Sequence, residues 1–209
     1  MLKLPRPKKV VLDSGVTLLH QSNPNSPTIA FGIWVTRGSR DEAQSERGLS
    51  HLLEHVVFRG TRSRDALRIA LDLEAIGGQW DAFTGKEVTS YNGKVLGEHF
   101  ETLTDVFADI ILNPIFPEDA FLLERRVVQE EIRSIKDSPE DFTHELFMRT
   151  LFKGHPLGYP VAGLHSQVGR YTRGDLVHFH RKVYTASNVV IGFVGNLPLK
   201  RVARAVETK

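Results

Sequence analysis

The order in which hydrophobic periods change along the chain constrains its fold more than any other feature. Short apolar runs at residues 10–12 and 16–19 flank Asp13-Ser14-Gly15, a hairpin signature, and residues 28–36 read as a third strand ending before Gly38. Helical spacing takes over at residues 47–58 and 64–76, and Gly77-Gly78 stops the second helix. Strand-like runs at 80–83 and 88–95 predict a second hairpin. The middle of the chain is helical: residues 100–112 up to Asn113-Pro114, a long helix opened by Pro117 and running through Ile135, and another opened by Pro139 to about Phe152. Residues 154–163 read as loop, 172–183 as a helix that Thr172 is placed to cap, and 188–194 as a last strand. Strands arriving in hairpins and helices in runs predict an α+β fold, a largely antiparallel sheet with helices packed against it. No repeat, low-complexity stretch or linker divides residues 1–209, so one domain is expected.

Charge excludes some partners. With 27 basic against 25 acidic side chains, a net +2 leaves no footprint for nucleic acid or an anionic membrane. The chain has no cysteine, so it has no disulfide framework and no thiolate metal site, and a metal must be held by His, Asp or Glu. The basic stretch at residues 3–9 leads into an alternating, turn-containing segment instead of an apolar h-region. No apolar run approaches the ~18 residues of a membrane span. A cytoplasmic location is the default expectation.

The first helix carries His51-Leu52-Leu53-Glu54-His55. At about 3.6 residues per turn, histidines four apart project from one face and can reach one ion. Leu49, Leu52, Leu53, Val56 and Val57 share the opposite arc, so this helix is expected to pack by its leucines and present its histidines. Alone, the motif is only suggestive, since two surface histidines give the same spacing. Two histidines are also too few, because a catalytic zinc takes three protein ligands and keeps a fourth position for water.

The long helix offers the third. On an ideal wheel Phe121, Glu124, Val127, Val128, Glu131, Ile132 and Ile135 fall on one arc, which places two carboxylates in the stripe expected to be buried. A buried, unpaired carboxylate costs several kcal/mol, so both need a cation or donors. Glu130 falls on the polar side with Arg126 four residues before it, a solvated pair of roughly 0.3–0.5 kcal/mol. Glu131 is therefore the candidate ligand.

The stretch GLSHLLEHVVFRGT resembles the inverted zinc signature of the peptidase family that contains pitrilysin, insulin-degrading enzyme and the mitochondrial processing peptidases. Glu131 lies 76 residues beyond His55 and Glu124 lies seven before Glu131, spacings that match the family. GGQWDAFTGKEVTSY, ERRVVQEEI, HPLGYPVAG and YTRGDLVHFHRKVYTASNVVIGFVGN follow in family order, so the similarity covers nearly the whole chain.

The resemblance implies one Zn2+ per chain held by His51, His55 and Glu131, with Glu54 as the general base and Glu124 orienting a ligand or its helix. It assigns substrate binding to a sheet edge around Asp81, Ala82 and Phe83, where an extended peptide adds as a strand; the family usually has Asn at the position of Asp81. It also implies a clamshell of two related domains, of which this chain matches the first, so a second domain or subunit is an expected partner beside the peptide substrate. The function implied is a zinc-dependent endopeptidase. Two other readings stand beside it. One is a noncatalytic assembly subunit, in which the family's zinc residues are degraded whereas here they are intact; the other is a metal-binding module without hydrolysis. His155, His165, His178 and His180 lie outside the ligand pattern and are assigned no role.

Overall fold

A computed structural model describes residues 5–209; Lys3 and Leu4, at the start of the basic stretch, lie outside the described residues. The turn at Asp13 to Gly15 joins β1 (Lys8–Val11) to β2 (Thr17–Ser22), and β3 (Thr28–Val35) follows. β4 (Gln79–Thr84) and β5 (Thr89–Leu96) form the second hairpin, and β6 (Val189–Gly195) comes near the end. They assemble into one six-stranded sheet in the order β1-β2-β6-β3-β5-β4. Every neighbouring pair is antiparallel except β2 with β6.

Alternation along the strands sorts the two faces. Ile29, Phe31, Ile33 and Val35 of β3, Tyr91 and Val95 of β5, and Ile191 and Phe193 of β6 are buried, all but Val35 in one core with the helices. The helices are α1 (Leu49–Val57), α2 (Ala66–Ala75), α3 (Phe100–Leu112), α4 (Glu118–Asp137), α5 (Pro139–Leu151), α6 (His165–Val168), α7 (Arg173–Val183) and α8 (Leu199–Glu207), and all but α5 contribute side chains to that core. The opposite face is open, with Leu19, Trp34, Phe83 and Val194 around a hollow of about 770 Å³. Among the described residues no helix is long and apolar enough to cross a membrane.

Most elements begin and end within two residues of the sequence reading, and Thr172 caps α7 as expected, accepting from the Asp175 N–H. The sequence reading stopped short of α8, although Pro198 precedes it and Val202 is buried among partly buried Leu199, Ala203 and Val206. It also took residues 154–163 as plain loop, where Pro156–Gly158 makes a 3-10 turn.

The stripe on α4 is narrower than the wheel suggested. Phe121, Glu124, Val128 and Ile132 are buried, but Val127 is exposed and the Glu131 side chain is 42% accessible. The reason is geometric: α4 lies in the outer layer, covered by α1, α5 and α6 along one seam, so only the centre of the arc is enclosed. Glu130 pairs with Arg133 instead of Arg126.

Candidate metal centre

The centre is built on α1, and α1 is fixed at both ends. Its apolar face, Leu49, Leu52, Leu53, Val56 and Val57, is fully enclosed, each side chain contributing roughly 1.5–3 kcal/mol of burial. Gly48 sits before the first turn with φ +90°, a conformation that disfavours any side chain, and a Cβ there would lie 2.6 Å from the Ala162 carbonyl oxygen. The close approach locks the helix start against the 160–163 loop. The Tyr171 hydroxyl donates to the Ser45 and Arg47 carbonyls and tightens the same segment.

The free N–H groups at this end are met by Glu42, a buried carboxylate that accepts from Gly48 N at 2.8 Å and Ser50 N at 2.7 Å. Burial pushes Glu42 up to about 7, against the lowering by those amide bonds. Sequence reasoning missed this residue because it lies six positions before Gly48, beyond the three-residue reach of a capping box.

His51 and His55 face away from the core, as the wheel predicted, and their rings meet edge to face with centroids 4.8 Å apart. Glu131 Oε2 is 3.9 Å from His51 Nε2 and 3.5 Å from His55 Nε2, and one ligand atom from each residue can be chosen with all three within 4.8 Å. Zinc bonds of about 2.0–2.2 Å in a tetrahedral array place ligand atoms roughly 3.3–3.5 Å apart, so the donor set fits such an ion after small side-chain adjustment.

The two histidines are supported unequally. His55 Nδ1 lies 3.1 Å from Glu124 Oε2, which leaves Nε2 turned to the centre, whereas the buried His51 Nδ1 has no hydrogen-bond partner among the described residues. Burial pushes His51 down to about 4, with the neighbouring His55 adding to the shift, so its imidazole is neutral near pH 7, as a ligand must be.

Glu124 is 2% exposed. Besides His55 it meets Arg59, whose Nη2 is 2.6 Å from Glu124 Oε1. The angle falls short of a hydrogen bond, but an ion contact depends chiefly on distance and the charges are adjacent. Arg59 was not singled out from the sequence; its signal is a basic residue four positions after His55, just past the helix end.

Glu54 projects from the same face between the histidines. Its Oε2 accepts from the Thr84 hydroxyl of the edge strand at 2.6 Å. Burial raises Glu54 from its ordinary value; the Thr84 bond and the neighbouring His55 pull the other way, and the charges of Asp81 and Glu131 push further up. Beneath it the hydroxyls of Tyr91 and Tyr184 share a buried hydrogen bond of 2.7 Å.

β4 forms one border of the sheet, with its outer side unpaired. Trp80, Ala82 and Thr84 face the helices: Trp80 packs at a tilt against Phe58, Ala82 packs on the core and Thr84 reaches Glu54. Phe83 lines the open hollow on the other face, Ala82 borders the hollow beside Glu54, and Asp81 borders both. A hollow of about 560 Å³ lies on the His51 and Glu131 side, bordered by Lys86, Asp141, Glu145 and Tyr159. Another of about 360 Å³ lies on the far side of Glu54, bordered by Phe58, Arg59 and Trp80. Two of the other histidines make local structural contacts: His180 Nε2 is 2.7 Å from the Ile111 carbonyl, and His155 Nδ1 accepts from Leu157 N.

Residues 17–164 match the family model described as Insulinase (Peptidase family M16). The chain is 37% identical over 190 residues to the uncharacterized zinc protease YmxG of Bacillus subtilis, covering 91% of this chain and 46% of that protein. It is 38% identical over 191 residues to the uncharacterized zinc protease Rv2782c of Mycobacterium tuberculosis, covering 91% and 44%. Among solved structures, a protease from Helicobacter pylori superposes with a TM-score of 0.92 at 27% identity, over 98% of this chain and 50% of that one. A peptidase M16 inactive domain from Pseudomonas fluorescens shares the fold at a TM-score of 0.90 and 21% identity. The chain thus spans about half the length of the curated relatives it matches.

Proposed function

The chain belongs to the M16 or insulinase family of peptidases, and from that premise we propose that it is the zinc-binding half of an endopeptidase acting on extended peptides. The observation that carries the reading is the convergence of His51, His55 and Glu131 around one point, with Glu54 on the same helix face.

When bound, zinc would supply Lewis acidity, polarising the scissile carbonyl and acidifying water. The protein does the rest. Glu54, whose carboxyl burial raises above its ordinary value, is suited to take a proton from the attacking water and return it to the leaving amine. Thr84 holds one of its carboxylate oxygens and leaves the other free. The unpaired side of β4 can add a peptide strand through backbone hydrogen bonds, which tolerates many sequences, and the two hollows receive side chains on either side of the cleaved bond.

The test pairs zinc titration with cleavage of an unstructured peptide. Glu54→Gln is expected to keep zinc and lose about 10²–10⁴ in rate; near-normal turnover would exclude it as the base. Since the chain covers 50% of the Helicobacter pylori protease, donors for the tetrahedral oxyanion are expected from a second related domain. Each such donor is worth about 10²–10³ in rate, so the purified monomer should cleave slowly and gain on addition of that domain. Full activity from the monomer alone would sink this part.

A further inference from the structure

Glu124 is almost completely enclosed, and among the described residues its charged or ionisable partners are His55 on one oxygen and Arg59 on the other. Arg59 stands four residues after His55. Its N–H bonds the Val56 carbonyl at 3.0 Å and fixes it just past the end of α1, where a cation also suits the helix dipole. From there the guanidinium reaches Glu124 Oε1 at 2.6 Å while its own side chain stays 45% exposed. Arg59, Glu124 and His55 thus form a chain of contacts that ends at an imidazole nitrogen facing the metal centre.

We propose that Arg59 is a positioning residue for the metal centre: its charge holds the buried Glu124 carboxylate against His55 Nδ1, which keeps the proton on that nitrogen and frees Nε2 as a ligand atom. The inference rests on the zinc reading above. Burying a carboxylate beside a neutral imidazole alone would leave its charge without compensation, and Arg59 removes that penalty from the edge of the site. The proton position follows from the chemistry of the pair, since a carboxylate only accepts and Nδ1 must then donate. Partners of this kind orient metal-binding histidines and commonly change affinity about 10–100-fold when removed.

The experiment compares wild type with Arg59→Met and Arg59→Lys in the 209-residue chain, with Arg59→Gln in place of the methionine variant should that fail to fold. Nitrogen NMR of the zinc-free protein reads the His55 tautomer, and chelator competition reads zinc affinity. Wild type is expected to show a single Nδ1–H form of His55. Arg59→Met is expected to show mixed tautomers, about tenfold weaker zinc binding and a lower unfolding temperature, because the buried Glu124 carboxylate loses its compensating charge; Arg59→Lys should recover most of all three. Unchanged tautomer and affinity in Arg59→Met would overturn the proposal, as would equal losses in the lysine and methionine variants. If wild type binds no zinc, the peptidase reading fails, while the tautomer measurement still decides the role of Arg59.

Discussion

The two ends of α1 are anchored by buried carboxylates that are compensated in different ways. At the start, Glu42 is met by two backbone N–H groups, and burial still pushes it up to about 7. At the finish, Glu124 is met by a guanidinium and an imidazole. Helix-end dipoles are worth roughly 0.3–1 kcal/mol, up to about 2 in favourable partly buried sites, which does not offset the desolvation of a whole charge. The helix that presents His51 and His55 is therefore tied by a titratable anchor at one end and by an ion pair at the other.

The largest expected effect tests the titratable end. Glu42 has a folded value above its unfolded 4.5, so its contribution is complete below about 4.5 and is lost as pH rises through about 7. The swing is roughly 3 kcal/mol. His51 works in the opposite sense: depressed from 6.5 to about 4, its contribution is present above 6.5 and lost as pH falls through 4. The raw stability curve is flattened by this opposition, and subtracting the curve of Glu42→Gln isolates the first group. In zinc-free urea unfolding from pH 4.5 to 8, wild type should lose stability relative to Glu42→Gln as pH rises. Parallel curves would show that Glu42 does not titrate in this range.

A smaller effect concerns a third glutamate, which is left open. Glu131 shares α4 with Glu124 but is 42% exposed, and among the described residues only His51 and His55 pair with it. Glu131→Gln should weaken zinc binding about 10–100-fold or more while leaving the zinc-free protein equally stable. The smallest effect belongs to its neighbour: Glu130 pairs with Arg133 at the surface, so Glu130→Gln should change zinc affinity little and stability by less than about 0.5 kcal/mol. Loss of zinc from the Glu130 variant and not the Glu131 variant would reverse the ligand assignment.

These residues also mark what the sequence made legible. Helix periodicity placed His51, Glu54 and His55 on one face because α1 is a single regular element whose leucines all point inward. The same wheel overstated the burial of Glu131, since periodicity gives direction along a helix but not how widely its neighbours cover it. Glu42 and the Thr84 bond to Glu54 stayed hidden because they depend on contacts between segments, and no local spacing encodes them. The strands were readable one by one, yet the parallel pairing of β2 with β6 was not, as nothing in either run specifies a partner so distant in the chain.

That pairing has a consequence for how the molecule comes to exist. β6, residues 189–195, lies between β2 and β3, so the sheet cannot close until the ribosome has released those residues. Until then two strand edges that end up interior stand unpaired, and the turn-linked hairpins on either side have no bridge between them. Long-range pairing of this kind slows folding and leaves edges open to wrong partners. Until residues 189–195 emerge a nascent chain can hold only two separate pieces of this sheet, and the strand added last is the one that makes them a single body.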